Sequence, residues 1–170
     1  MKCSFVLFLN GLFFHFQGFI CPESTNPNYK VINQTCYYFE SSSKTFVDAQ
    51  NNCKTKFGSI EGMLAEPKTS QSVSALWSFA RSIRSTSPYW IGMDDLQNRD
   101  GQFRYSSSGV LVPSISGVSL SLDNDPSDHN CARLDSANDI EDHTCSTQYL
   151  SICEAVLTST TNGNDFLNIN

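Results

Sequence analysis

The chain has 170 residues, of which 39% are hydrophobic and 12% aromatic, and its formal net charge at pH 7 is −6. This length suits one domain, and the hydrophobic content excludes the highly charged, weakly hydrophobic composition of disordered chains. The chain has no cluster of basic residues that would release counterions from phosphates, which excludes nucleic acid and anionic membranes as partners.

The first twenty residues have the composition of a secretory leader. Lys2 supplies a positive charge, and the run from Phe5 to Phe16 is mostly apolar. Such a run is too short to span a bilayer comfortably. We therefore expect residues 1–20 to be a signal peptide, which makes the protein secreted and extracellular, with no membrane anchor. A buried N-terminal core segment is the alternative.

Seven cysteines are present, and Cys3 lies inside the predicted signal peptide. The six that remain are Cys21, Cys36, Cys53, Cys131, Cys145 and Cys153. An even number in a small secreted domain favours disulfide bonds, although their spacing alone permits fifteen pairings. A further motif, Asn33-Gln34-Thr35, is an acceptor for N-linked glycosylation and predicts a glycan on Asn33.

The first secondary-structure elements follow the leader. An aromatic run from Cys36 to Phe39 is typical of a strand, and a stapled hairpin is expected around it. Thr45 then offers a capping hydroxyl with Asp48 three residues later, which predicts the start of a helix. Its apolar stripe has spacings of three and four residues, and Gly58 ends it. The stripe consists of Phe46, Ala49, Cys53 and Phe57.

A second amphipathic helix is expected beyond Pro67. Its apolar positions are Val73, Leu76, Trp77, Ala80 and Ile83. Because such a stripe usually faces the core, we interpret Trp77 as a packing residue and not as a ligand platform. The run from Tyr89 to Met93 predicts a buried strand, and residues 103–105 predict a short one.

The second half of the chain is loop-like. Residues 106–130 are rich in serine, with one alternating apolar patch at residues 118–122 that predicts a strand. Short strands are expected at residues 130–134 and 149–153, followed by a polar tail. We predict a domain from residue 21 to residue 154, a flexible tail over residues 155–170, and an α+β fold.

Several motifs together resemble the C-type lectin-like family over nearly the whole mature chain. They are the helix start Thr45-Phe46-Val47-Asp48-Ala49, the segment Gly62-Met63-Leu64-Ala65, the strand Trp90-Ile91-Gly92-Met93, the stretch Asp100 to Tyr105, and the closing Asn130-Cys131 and Ser151-Ile152-Cys153-Glu154. The resemblance implies two helices packed on short antiparallel sheets, with a long loop region. It also implies three disulfides, which are Cys21 with Cys36, Cys53 with Cys153, and Cys131 with Cys145.

The same resemblance indicates a candidate site. Sugar-binding members hold calcium with a proline-containing turn and a Trp-Asn-Asp triplet, and the corresponding places here read Asp125-Pro126-Ser127 and Ile140-Glu141-Asp142. The implied metal ligands are Asp125, Asp128, Glu141 and Asp142, and the implied ligand-binding residues are Asp125, Ser127, Glu141 and Asp142. Calcium accepts six to eight oxygen ligands, so metal binding stays possible on this set.

The substitutions also leave an alternative open. Glu141 when ionised only accepts hydrogen bonds, whereas the asparagine it replaces also donates, and Ser127 lacks an amide carbonyl. The acidic residues therefore make either a degenerate calcium site for carbohydrate or a solvated acidic loop. In the second case the domain binds an extracellular protein or another surface without calcium.

Two other chemistries are disfavoured. The repeated patterns Asp128-His129-Asn130-Cys131 and Asp142-His143-Thr144-Cys145 resemble zinc ligands, but oxidised cysteines do not bind metal. No motif proposes a nucleophile with a base, and Gly-x-Ser-x-Gly is absent from the sequence. We therefore expect a binding protein and not an enzyme.

Overall fold

A computed structural model describes residues 21, 25–58, 60–84, 88–122 and 129–156, and the backbone of residues 2–9 and 12–19. The expected strand and helix regions are all occupied by regular structure. The helices are α1 (Phe46–Cys53) and α2 (Ser70–Ile83). The strands are β1 (Lys2–Leu9), β2 (Leu12–Phe19), β3 (Tyr29–Ile32), β4 (Thr35–Phe39), β5 (Met63–Leu64), β6 (Tyr89–Asp94), β7 (Arg104–Tyr105), β8 (Ser119–Ser121), β9 (His129–Ser136), β10 (Asp139–Thr144) and β11 (Leu150–Val156).

One mixed sheet forms the domain, with strand order β3-β4-β11-β6-β9-β10-β8 and short strands β5 and β7 beside β11 and β6. Strands β6 and β11 are parallel, as are β8 and β10, and the other pairs are antiparallel. Every residue of β6 is buried. This strand is buried, as its apolar run from Tyr89 to Met93 predicts, and it lies at the centre of the sheet between β11 and β9.

Helix α1 begins at the cap that its sequence predicts, and α2 begins beyond Pro67, as expected, at a cap that was not predicted. The Thr45 hydroxyl accepts from the backbone N–H of Asp48 and donates to its carboxylate at 2.8 Å. At α2, Thr69 and Ser72 form a reciprocal capping box. Helix α1 ends at Cys53, before the expected Gly58, because the backbone bonds shorten to three-residue spacing at Thr55. The turns that follow still bury Phe57.

The three implied disulfides are all present: Cys21–Cys36, Cys53–Cys153 and Cys131–Cys145. The Cys53–Cys153 bond closes 100 residues and ties α1 to β11. The resemblance therefore selected the correct pairing among fifteen.

The ends of the chain bear on the expected boundaries. Strands β1 and β2 pair only with each other among the described strands, in a sheet separate from the domain. Strand β11 continues through Ala155 and Val156, two residues past the expected end of the domain. Neither described helix is long and apolar enough to cross a membrane. Asn33 is exposed, at a positive φ of 48° in the turn between β3 and β4.

Candidate ligand-binding site

The predicted site residues divide into two groups. Asp125, Ser127 and Asp128 lie outside the described residues, so their roles stay predictions. Glu141 and Asp142 lie on β10, which pairs with β9 on one side and β8 on the other. Successive side chains of a strand point to opposite faces, so Glu141 and Asp142 extend from opposite faces of β10.

Strand β10 was not expected from the sequence. Its sequence, Asp-Ile-Glu-Asp-His-Thr, contains one strongly apolar residue and three acids. Ile140 is fully buried in the core, and it anchors the strand in the register that places Glu141 opposite Arg133 on β9. The pairing with two neighbouring strands explains why an acidic segment of low strand propensity becomes regular.

Arg133 is the centre of the polar contacts on this face. Its Nη2 lies 2.9 Å from Glu141 Oε2 and 3.5 Å from Asp135 Oδ1. Its Nη1 donates to the Tyr149 hydroxyl, and the guanidinium carbon lies 5.0 Å from the centre of the Tyr149 ring. We call Arg133, Glu141, His143 and Tyr149 the Arg133 cluster.

Neighbouring groups stabilise the positive charge of Arg133. Burial lowers the pKa of a guanidinium, but the Glu141 hydrogen bond and the nearby Tyr149 and Asp135 outweigh it and raise the pKa of Arg133. Only 16% of the side chain is exposed. Such a half-enclosed ion pair is screened less by salt than an exposed one. Arg133 is therefore a fixed cation among the acids of this region.

Two histidines continue the cluster towards the Cys131–Cys145 disulfide. The His143 Nε2 lies 3.3 Å from the Tyr149 hydroxyl, and its ring stacks on His129 at 5.5 Å between centroids. Within the described ranges, no three His, Cys, Asp or Glu side chains meet in a way that suits a metal. The two Asp-His-x-Cys patterns thus bring their histidines together as a stacked pair.

Buried aromatic side chains pack against Tyr149 of the Arg133 cluster. The Trp90 ring lies 4.9 Å from the Tyr149 ring and 5.5 Å from the Phe46 ring. Trp90 is fully buried, as predicted. Trp77 is half-buried against the core, also as predicted, with Arg81 over its ring. The aromatic packing that supports Tyr149 of the cluster therefore comes from β6 and α1 and not from a loop.

The described residues fit calcium poorly. Calcium needs six to eight oxygen ligands, and the described part of the predicted set supplies Glu141 and Asp142. The Glu141 carboxylate is paired with Arg133, and a divalent cation bound there would lie beside a guanidinium of like charge. Arg133 was visible in the sequence as the single cation among the acids of residues 120–145, but its pairing with Glu141 depends on strand register.

A second arginine pairs with two carboxylates in the same way. Arg104, the first residue of β7, lies 2.9 Å from the Asp100 carboxylate and 3.5 Å from the Asp95 carboxylate, both in the loop after β6. The Asp95 residue is 2% exposed and also accepts from the Gly101 backbone N–H. Arg104 thus pairs with Asp95 and Asp100 as Arg133 pairs with Asp135 and Glu141.

Comparison with solved structures defines the class of fold. The C-type lectin CEL-I from Cucumaria echinata superimposes with a TM-score of 0.66, covering 78% of this chain and 98% of that chain at 18% identity. A calcium-independent type II antifreeze protein superimposes with a TM-score of 0.61, covering 78% and 95% at 18% identity. These similarities establish the C-type lectin fold that the sequence motifs implied.

Sequence comparisons establish the family. The family model described as the lectin C-type domain matches residues 42–155, so the chain belongs to the C-type lectin domain family. A perlucin-like protein from Mytilus galloprovincialis is 27% identical over 135 residues, which are 78% of this chain and 83% of that protein. Pulmonary surfactant-associated protein D from Bos taurus is 30% identical over 128 residues, which are 75% of this chain and 32% of that protein.

Proposed function

We propose that this protein is a secreted C-type lectin-like recognition domain that binds carbohydrate at the Arg133 cluster without calcium. The observation that carries the proposal is the ion pair between Arg133 and Glu141 at one of the positions where the family resemblance implies a metal ligand. Membership of a lectin domain family supports carbohydrate as the ligand class.

The chemistry of the Arg133 cluster suits hydroxyl groups. The Arg133 guanidinium donates hydrogen bonds, the Glu141 carboxylate accepts them, and the Tyr149 hydroxyl does both. A sugar hydroxyl likewise donates and accepts, and it can bond a donor and an acceptor at the same time. The guanidinium thus supplies the donors that Glu141 lacks as a replacement for asparagine.

The calcium-dependent alternative uses Asp125, Asp128, Glu141 and Asp142. Binding there requires Glu141 to leave Arg133, which leaves a guanidinium that is 16% exposed without its closest carboxylate. Breaking this ion pair has a cost, because the partly enclosed guanidinium loses its closest carboxylate and keeps Asp135 at 3.5 Å. Recognition without a metal avoids this rearrangement.

Secretion is part of the same proposal. Residues 1–20 act as a signal peptide, and Asn33 carries a glycan in the secreted product. Three disulfides support an oxidising compartment. Sequencing the N-terminus of the secreted chain and mapping its glycosylated peptides test this part, and a secreted product that retains Cys3 contradicts it.

A glycan array tests the proposed ligand class. Secreted protein is applied in buffer with calcium and in buffer with chelator, and we expect the same glycans to be bound in both. Arg133→Met removes the guanidinium and keeps an unbranched apolar stem, so it should abolish the signal. Arg99→Met is the control, because Arg99 is exposed in the loop after β6. Signals lost in chelator, or an array with no bound glycan, contradict the proposal, and the second result favours a protein ligand.

A further inference from the structure

A cavity of about 660 Å³ opens beside the C-terminal half of α1. Its walls come from the end of α1, strand β5, the loop after β6 and the turn after β7. Sites for small molecules have volumes of roughly 300–1,000 Å³, so the cavity has the size of a ligand site. None of the four residues of the Arg133 cluster lines it.

The walls of the cavity are fixed by close packing. A Cβ on Gly62 would lie 2.4 Å from the carbonyl oxygen of Cys53 and 2.4 Å from the Phe57 ring, so only glycine fits there. Cys53 is held in turn by its disulfide to β11. A cavity between such elements keeps its shape without a ligand, which is typical of preformed sites.

Two buried carboxylates accept hydrogen bonds from the serines that follow β7 at the edge of the cavity. Glu66, 5% exposed, accepts from the Ser107 backbone N–H at 2.8 Å and from its hydroxyl at 2.9 Å. The Ser106 hydroxyl donates to Asp94. The hydroxyl protons of Ser106 and Ser107 are therefore both donated within the protein, and the two hydroxyl oxygens remain able to accept hydrogen bonds from a ligand.

The charges of the lining disfavour an anion. The Arg104 guanidinium is taken by Asp100, at 3.0 and 2.9 Å, and by the Gln102 carbonyl oxygen at 2.6 Å. Lys54 and Glu61 are exposed lining residues of opposite charge. With Asp94 and Asp95 also in the lining, the formal sum of these charged lining groups is negative. A phosphate or sulfate would be repelled.

The remaining lining groups match a neutral polyhydroxylated molecule. Gln50 is half-buried and Gln97 is exposed, and each amide donates and accepts hydrogen bonds. Met63 and Leu96, both half-buried, add an apolar patch that can contact the C–H face of a sugar ring. We propose that this cavity is a second binding site of the domain, for a neutral mono- or disaccharide, and that it acts without metal. It goes beyond the proposed function, because it shares no residue with the Arg133 cluster.

Nuclear magnetic resonance titration in chelator tests the second site. The probes are D-glucose, D-galactose and N-acetyl-D-glucosamine, each added to the ¹⁵N-labelled secreted domain. At least one should shift the backbone amides of Leu96, Gln97 and Ser107 in a saturable manner. A dissociation constant on the order of 1 mM is expected for so small a ligand.

Matched variants separate this site from the Arg133 cluster. The double variant Gln50→Ala with Gln97→Ala should weaken binding about tenfold, since each lost hydrogen bond contributes modestly. Gln71→Ala, an exposed amide on α2, is the control and should bind as wild type does. Arg133→Met should leave these shifts intact even if the glycan-array signal is lost.

Three results would overturn the second site. The probes could produce no saturable shifts, they could shift only the amides of β10, or the double variant could bind as tightly as wild type. Each of these leaves the proposed function at the Arg133 cluster standing, so the two proposals fail separately.

Discussion

Trp90 donates its indole N–H to the carbonyl oxygen of Lys44 at 2.9 Å. Lys44 lies directly before the cap of α1, and it also forms a bridge with Tyr149. One buried side chain on β6 thus fixes both the start of α1 and the residue on which Arg133 stacks. The structural core and the candidate site depend on the same contact.

Truncating Trp90 should therefore be severe. Trp90→Ala removes a fully buried side chain and should lower the free energy of unfolding by about 3–5 kcal/mol in urea denaturation. Trp90→Phe keeps most of the volume and should cost less. In a Trp77→Phe background, where Trp90 is the only tryptophan, fluorescence should resist quenching by iodide. Ready quenching would show that Trp90 is exposed and would contradict the packing described here.

The disulfide between Cys53 and Cys153 should be the most stabilising of the three. It closes 100 residues, against 15 for Cys21–Cys36. In the chain-entropy model these loops correspond to about 4.7 and about 3 kcal/mol. Replacing Cys53 and Cys153 by alanine should lower the free energy of unfolding more than replacing Cys21 and Cys36. Equal losses in denaturant titrations would contradict the expected order.

Glu154 should make stability depend on pH. Burial, together with the nearby charge of Glu66, raises the pKa of this carboxyl to about 7, although hydrogen bonds from the Glu66 backbone and the Tyr37 hydroxyl and the charge of Lys68 lower it. The folded state therefore binds a proton more tightly than the unfolded state, whose carboxyl has a pKa of about 4.3. The contribution of Glu154 to stability should be fully present below pH 4.3 and should fall by up to about 3 kcal/mol as pH rises to about 7.

Chemical denaturation between pH 4.5 and pH 8 measures this dependence. Glu154→Gln mimics the protonated carboxyl and should flatten the fall with pH. Glu61→Gln, at an exposed position, is the control and should keep the wild-type profile. A Glu154→Gln profile that falls as steeply as wild type would show that another group titrates.

Periodicity, together with the cap of α1, was enough to predict both helices and a buried strand at β6. The spacing of three and four residues between Phe46, Ala49 and Cys53 predicts the buried face of α1, and all three are buried. The apolar run from Tyr89 to Met93 predicts the buried strand β6 because no charged residue interrupts it. The residues that make up such a pattern lie close together in the chain, so a single sequence is enough to recognise it.

The family resemblance added what local patterns do not contain, and the pairing of the cysteines is the main example. Neither the local patterns nor the family resemblance predicts the contacts within the site. Glu141 meets Arg133 only because β9 and β10 pair in one register, and Tyr149 reaches Arg133 from a different part of the chain. Strand β10 itself was missed because pairing with its neighbours outweighs its acidic sequence.

Isothermal titration of the secreted domain with calcium, paired with melting curves in calcium and in chelator, tests the central claim most directly. If Arg133 neutralises the site, calcium should give no binding heat and the two melting temperatures should agree. A bound ion at a hundredfold excess over its dissociation constant would add about 2.7 kcal/mol to the free energy of unfolding. A higher melting temperature in calcium that disappears in Asp142→Ala would contradict recognition without metal and restore the calcium site.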